Sequence, residues 1–457
     1  MTSVTSFTDH LACPICMNAL SHNKKELKCN ACDLVFPKTS EIHWLYNDPL
    51  AAIMDWTNRF DNYLKTIKQE EDSLKHTYDQ KNLLKETSIR LQKMIQGRVE
   101  HRKSVTKILS PLNPSHEGLK EIHTAAGTPL PSSQSLMGYY SNVLRDWNWG
   151  NDENEICLER IIKSLDGDHK LGNMAVLGAG ACRLPADLHL ATNCENSIMV
   201  DINPLLFFVA QKVLNGQNVS LYEFPLAPIN KDAFAVKLKC RAKQKIENNF
   251  HFLFSDAMNP SFKDKTLDTV VTPWLIDIVH QDIREFFRRI NRILKEGGRW
   301  INFGSLAFFH SNQAINYSLE ETLAIAEQSG FEITNWNQEP IPYLQSPYSC
   351  QARTETVLTF CAQKVKDIEQ PTPFTYLPDW LTDPAQTIPP LPEVQQMIAV
   401  NQTFIALMSW VNGKHSIKDI AAKTCTALRM PENQAVQLIT QMLTTIYEKN
   451  LKSTSFR

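Results

Sequence analysis

Four cysteines near the start of the chain fall in two pairs, Cys13-Pro14-Ile15-Cys16 and Cys29-Asn30-Ala31-Cys32. Two such knuckles, twelve residues apart, bring four thiolates within reach of one tetrahedral ion, and four sulfurs select Zn²⁺. A closed four-sulfur shell leaves no position for water, so the ion expected on Cys13, Cys16, Cys29 and Cys32 is structural. A second constellation lies further on. The run MAVLGAG (174–180) reads as a buried strand entering a glycine turn, where Gly178 and Gly180 let a ligand approach the backbone. Asp201 closes the next strand-like run, SIMVD, at the place where a carboxylate accepts ribose hydroxyls. Asp256 closes a third, FLFSD, and is followed by Ala257, where a carboxylate and a backbone N–H can read adenine. Successive strand ends of an open α/β sheet converge on one crevice, so these residues predict a nucleoside pocket. A dinucleotide would use the same glycines and acid, but the third glycine of its fingerprint is missing. Three unrelated strand caps are the plain alternative.

The elements that must hold these residues follow from the pattern of apolar runs. NMAVLGAG, NSIMVDIN, FHFLFSDA, LDTVVTPW and RWINFGSL alternate with helical spacing between 136 and 365, which predicts an α/β, Rossmann-like sheet. Ahead of it, residues 1–50 read as a short cysteine-paired ribbon. Residues 51–135 read as a polar helical region that includes LLKETSIRLQKMI. Behind it, a proline-rich linker (366–395) leads to a small helical module (396–457). A length of 457 residues fits such a division. Lys and Arg number 47 against 49 Asp and Glu, so no overall basic field recruits nucleic acid or acidic lipid. No run approaches the ~20 apolar residues of a membrane span. MTSVTSFTDH lacks the features of a secretory signal, and the odd total of 11 cysteines with one tight cluster fits a reducing cytoplasm.

Further motifs carry a resemblance. LDTVVTPWLID, the helical stretch 283–294 and KEGGRWINFG resemble the later motifs of class I S-adenosylmethionine-dependent methyltransferases, with Lys295-Glu296-Gly297-Gly298 as the turn between helix and strand. Adding Arg145-Asp146-Trp147, GAGACRLP, VDINPLLFFVAQKVLN and IPYLQSPYSC, residues 136–365 resemble the carnosine N-methyltransferase family. The resemblance implies a class I fold, S-adenosyl-L-methionine as cofactor, and methyl transfer to an imidazole nitrogen of a histidine-containing peptide or related small substrate. It places Gly178, Gly180 and Arg183 in the cofactor loop, Asp201 at the ribose and Asp256 at the adenine. Arg145 and Trp147 would belong to a lid helix over the cofactor. Asp277 would hold the substrate imidazole, with His310 and Tyr343 as further substrate-side residues. Read from the residues alone, Asp277 could instead cap a helix, although Asp282 is better placed to do so. His310 could be a rim residue. Cys182 stands where the family has glycine, and Arg353-Thr354-Glu355 stands where it carries tyrosines, which alters the substrate wall.

The flanks carry resemblances of their own. The pattern from Cys13 to Pro37 resembles Trm112-like zinc ribbons. Residues 397–450, with a turn at Asn412-Gly413, a cap at Ser416 and Pro431 at a helix start, resemble PqqD-like winged-helix modules, which grip leader peptides. A structural role and, with few basic residues, DNA binding are the other readings. For the whole chain the rivals are an RNA methyltransferase and an inactive methyltransferase-fold scaffold. Against the first stand the neutral charge and Thr272-Pro273-Trp274-Leu275, which replaces a base-flipping motif.

Overall fold

The computed structural model describes residues 6–22, 27–80, 82–112, 135–279, 282–310, 312–369, 385–387, 389–390, 405, 407–428 and 431–454. Contacts divide the chain into two units, Met1–Gln370 and Pro371–Arg457.

In the first unit, β1 (Ser21–His22), β2 (Leu27–Cys29) and β3 (Leu34–Phe36) form a small antiparallel sheet around the cysteine pairs. The chain then leaves the ribbon. β4 (Lys38–Thr39) and β5 (Ile42–Leu45) join the large central sheet, so the ribbon is continuous with the domain that follows it. Two long helices come next, α1 (Pro49–Tyr78) and α2 (Lys85–Leu109). Asp48 caps α1 by accepting from Ala51 N–H at 2.9 Å, and Pro49 occupies its first turn, where a missing N–H costs nothing. Trp56, Phe60, Val105 and Leu109 bury the inner faces of this pair in the main core. Residues 113–134, the end of the region expected to be helical, lie outside the described residues.

After α3 (Tyr140–Leu144), one π-helical turn (Arg145–Trp149) and α4 (Asn151–Ser164), strands and helices alternate as expected. The order is β6 (Lys170–Leu177), α5 (Arg183–Ala191), β7 (Asn193–Asp201), α6 (Pro204–Leu214), a hairpin of β8 (Val219–Glu223) and β9 (Val236–Cys240), then β10 (Phe250–Ser255) and β11 (Leu267–Pro273). They are followed by α7 (Ile283–Ile293), β12 (Leu294–Gly304), α8 (Leu319–Gln328), β13 (Phe331–Tyr343) and β14 (Arg353–Lys364). The nine-stranded sheet runs β13-β14-β12-β11-β6-β7-β10-β5-β4. Its five central parallel strands, β10-β7-β6-β11-β12, stand in the order 3-2-1-4-5 of a doubly wound Rossmann-like sheet, whose order reverses beside β6. β14 is antiparallel to β12 and to β13. β5 extends the opposite edge in parallel with β10. These strands are apolar almost throughout (Met174–Leu177, Ile198–Val200, Val270–Val271) because helices cover both faces.

One local expectation is corrected. Lys295–Gly298 is no free turn: β12 begins at Leu294, and the ladder shifts from Leu267↔Leu294 to Thr269↔Arg299, which makes these residues a bulge. Gly297, at φ 72°, supplies the left-handed backbone that the bulge needs.

The second unit carries α9 (Ile417–Leu428) and α10 (Glu432–Thr454). Ser416 caps α9 through Asp419 N–H at 3.2 Å while Ser416 N–H donates back to Asp419, and Asn412 accepts from Lys414 N–H in the expected turn. Leu407, Ile420 and Ile439 form its core. Among its described residues there is no strand, so the wing of a winged helix has no counterpart there, and much of 391–406 lies outside them.

Candidate active site

At the ends of β6, β7 and β10 the chain turns around a cavity of about 370 Å³, within the range of small-molecule sites. Gly178 (φ 72°) and Gly180 (φ 57°) give the turn after β6 its left-handed backbone. A Cβ on Gly178 would lie 3.0 Å from Leu275 Cδ1, whereas one on Gly180 would meet nothing within 4 Å, so the space above Gly180 is open. Gly180 N–H donates to Asp201 Oδ2 (2.8 Å), and Asn203 N–H donates to Asp201 Oδ1 (2.9 Å). Burial nevertheless outweighs these bonds and pushes the Asp201 carboxyl up to about 6. At the end of the neighbouring strand, Asp256 Oδ1 accepts from Met258 N–H (2.8 Å), and Ala257 lines the cavity beside it. The three strand ends therefore share one pocket. Its open glycine cradle and strand-end carboxylates fit a nucleoside-bearing ligand.

The position after the glycine turn explains an oddity of the sequence. Cys182 is buried with φ 67°, the backbone that glycine takes without strain, and it precedes α5. Arg183, at the start of α5, lines the cavity but is engaged by Asp187 (2.7 Å), the Asp146 carbonyl (3.0 Å) and Asn151 (3.2 Å). Arg145 also lines it, held by Asp146 (2.7 Å) and Glu153 (3.1 Å). Arg145, Asp146 and Trp147, expected in a lid helix, are buried in the π-helical turn, a feature frequent at functional sites. Trp147 is not among the residues that line the cavity; it supports the glycine turn from behind, donating from Nε1 to the Ala181 carbonyl (2.8 Å).

The far end of the cavity is made by β11, β12, β13 and β14. Asp277, 9% exposed, accepts on Oδ2 from Ser305 Oγ–H (2.5 Å) and from Ala307 N–H (3.2 Å). Burial raises its proton affinity despite those two bonds, and the nearby Glu355 carboxylate adds to the rise. The helix-cap alternative falls to Asp282, which accepts from Arg284 N–H (2.9 Å) at the start of α7. Tyr343 lines the same end, its ring 4.5 Å from that of Trp274. His310 is not among the residues that line the cavity. Its N–H donates to Asn316 Oδ1 (2.8 Å), and its ring stacks on Phe308, both beyond the end of β12.

Sequence reasoning missed several residues of this wall. Trp274 takes φ 51° at the end of β11, an uncommon conformation for a bulky residue, with its N–H bonded to the Phe303 carbonyl (2.7 Å). Gly304 makes room for it, since a Cβ there would lie 2.9 Å from Trp274 Cα. Ser305 and Ala307 follow β12 directly, and their place after a strand end was the signal available. Arg353 and Glu355, noticed only as departures, face the cavity from the start of β14.

The cysteine ribbon abuts this site. The Sγ atoms of Cys13, Cys16, Cys29 and Cys32 all lie within 4.8 Å of one another, a cluster that fits one tetrahedral ion with Zn–S bonds of ~2.3 Å. The same segment bonds to the loop after β10. Ala12 N–H donates to the Ser261 carbonyl (2.9 Å), Lys263 N–H to the His10 carbonyl (2.9 Å) and Asn259 Nδ2 to the Pro14 carbonyl (3.4 Å). Among the described residues no helix is long and apolar enough to cross a membrane.

Comparison with known proteins identifies a family. The family described as carnosine N-methyltransferase matches residues 131–366. The rat carnosine N-methyltransferase is 26% identical over 237 residues, which is 46% of this chain and 58% of that protein. The Drosophila melanogaster carnosine N-methyltransferase unmet is 27% identical over 238 residues, covering 45% and 51%. The chain thus spans little more than half the length of these relatives. Among solved structures, phospholethanolamine N-methyltransferase 2 of Haemonchus contortus is 15% identical, covering 52% of this chain and 62% of that one, with a TM-score of 0.34. With the family match spanning more than half of its residues, the chain belongs to the carnosine N-methyltransferase family.

Proposed function

We propose that the chain is an S-adenosylmethionine-dependent N-methyltransferase that methylates an imidazole nitrogen of a histidine-containing peptide or related small molecule. The observation that carries this reading is Asp277, a buried carboxylate fixed by Ser305 and Ala307, lining the same cavity as the glycine turn and Asp201. Gly178, Gly180, Asp201, Asp256 and Ala257 would hold the cofactor, and when bound the cofactor supplies the methyl group. Asp277 does the work on the acceptor. It accepts the N–H of one ring nitrogen, which fixes the tautomer and aims the lone pair of the other nitrogen into the cavity. As the ring gains positive charge, the carboxylate stabilises it and can receive the N–H proton, for which burial has raised its affinity. Tyr343 and Trp274 wall the ring. His310 is left out of this scheme. We further propose that Zn²⁺ sits in the cysteine cluster as a structural ion, that the C-terminal unit binds a leader peptide or a partner protein, and that the protein works in the cytoplasm.

The test is to incubate the full chain with labelled S-adenosylmethionine and, separately, a histidine dipeptide, a mixed peptide pool and total RNA. Label on the imidazole of the dipeptide or of pool members is expected. Label confined to RNase-sensitive material would overturn the acceptor, and no thermal stabilisation by S-adenosylmethionine would overturn the enzyme.

A further inference from the structure

Three guanidiniums line the cavity among the described residues, and they are not held alike. Arg145 is paired with Asp146 and Glu153, and all three side chains are less than a tenth exposed. Arg183 is 5% exposed and paired with Asp187. Opening a buried ion pair strands a desolvated charge, so these two belong to the frame. Arg353 is paired with Glu355, but its side chain is 63% exposed and that of Glu355 is 22%. A pair open to water contributes little, and separating it costs correspondingly little.

Arg353 and Glu355 are two residues apart on β14, so both project from one face of the strand, toward the end of the cavity that holds Asp277. Arg353 stands opposite Tyr343 in the ladder, and its guanidinium lies 5.0 Å from the centre of that ring, which orients it. Among the described residues, the acceptor end then carries Asp277 and Glu355 against one available cation, an excess of negative charge. Glu355 is near enough to Asp277 to raise that group's proton affinity.

We infer that Arg353 and Glu355 set acceptor specificity: on binding they exchange each other for the two charged ends of a zwitterion, Arg353 taking its carboxylate and Glu355 its ammonium. This rests on the imidazole reading of the site. It adds that the acceptor is a small molecule with both ends free, rather than a histidine inside a protein chain. A guanidinium matches a carboxylate through two parallel hydrogen bonds, which makes Arg353 the discriminating member. The ammonium settles against Glu355 in the place that Arg353 gives up. Both are positioning residues for the ring that Asp277 holds.

The test measures kcat and KM of the full chain for a histidine dipeptide, its C-terminal amide and its N-acetyl form. It also measures S-adenosylhomocysteine affinity by calorimetry. The wild type is expected to favour the free acid over the amide about tenfold in KM, the value of one charge-assisted contact. Arg353→Gln should raise KM for the free acid to that of the amide, with a far smaller change in kcat. Glu355→Gln should erase the preference for the free amine over the N-acetyl form. S-adenosylhomocysteine should bind both variants as it binds the wild type, which excludes misfolding. If the wild type turns over these acceptors and the variants keep both preferences, the inference alone falls. If the wild type binds S-adenosylhomocysteine but methylates none of them, the imidazole reading falls and takes this inference with it.

Discussion

At the glycine-turn end of the cavity, the groups at hand are backbone N–H donors and carboxylates at the ends of consecutive strands, braced by one another as Gly180 and Asn203 brace Asp201. At the Asp277 end they are side chains drawn from β11 to β14, from Trp274 to Glu355, braced by side-chain and loop bonds such as that from Ser305. The first end depends on backbone conformation, which many sequences supply. The second depends on which residue stands at each position. A ligand held through backbone groups suits the first kind of construction, and one chosen by side-chain identity suits the second. Substitutions should therefore divide by end: changes near the glycine turn should alter cofactor affinity, and changes near Asp277 should alter transfer.

The largest expected effect tests that division. Asp277→Asn removes the charge that stabilises the developing cation, and kcat should fall about 10²–10³-fold. S-adenosylhomocysteine affinity, read by calorimetry, should change less than about twofold, because the cofactor-side groups are untouched. An equal loss in both measurements would show that the ends are coupled.

At the other end, Asp201→Asn should weaken S-adenosylhomocysteine about 10–100-fold, the worth of one or two hydrogen bonds to a charged group. It should also stabilise the ligand-free protein. Burial raises the Asp201 pKa to about 6, from an ordinary carboxyl value of 3.8. The folded chain therefore binds the proton more tightly than the unfolded chain does. This contribution to stability is complete below the unfolded pKa and is lost as pH rises through about 6. At pH 7 the cost is on the order of 3 kcal/mol. Asparagine avoids it but gives up about 1 kcal/mol of hydrogen bonding, which leaves a net gain of about 1–2 kcal/mol. Urea melts should show that gain at pH 7.5 and its loss near pH 4. A gain independent of pH would mean that the charge is not its source.

The same contrast decides what could be read from the chain beforehand. Gly178, Gly180, Asp201 and Asp256 were legible because a glycine turn and a strand-end acid are local patterns, and the sheet order brings strand ends together without further information. The cysteine quartet was legible by spacing alone. What could not be read was contact between distant segments. Arg353 meets Tyr343 because β13 and β14 pair in one register, and Trp274 takes its strained backbone because Gly304 leaves room beside it. The ribbon's union with the sheet depends on the pairing of β5 with β10, two short apolar runs far apart in sequence. His310 and Trp147 stand outside the cavity lining for the same reason. Motif position located them along the chain but did not say which way they face.

A smaller effect should come from the ribbon. Its bonds reach the loop of residues 259–263, which follows Asp256–Met258 on the cofactor side, and none of those described here reaches Asp277. Stripping the ion proposed for the four cysteines with a chelator should lower S-adenosylhomocysteine affinity about tenfold, within the usual range for coupling between sites. Acceptor KM at saturating cofactor should move much less. A rise in acceptor KM matching the loss of cofactor affinity would place the ribbon's influence on both ends.

The smallest effect concerns Cys182, where backbone and side chain make opposing demands. Its φ of 67° costs a non-glycine residue about 1–2 kcal/mol. Cys182→Gly removes that strain, but it gives up a fully buried thiol and adds about 0.5–1 kcal/mol of unfolded-state entropy. The terms nearly cancel, so urea melts should place the variant within about 1 kcal/mol of the wild type. Cys182→Val keeps the left-handed backbone and adds a branched side chain that resists it, so it should lose more than about 2 kcal/mol. Cofactor affinity should follow the same order, since Cys182 N–H closes the turn on the Ala179 carbonyl at 3.0 Å. If glycine proved the worse substitution, thiol packing rather than backbone conformation would govern this position, and the glycine-turn end would depend on side-chain identity as the Asp277 end does.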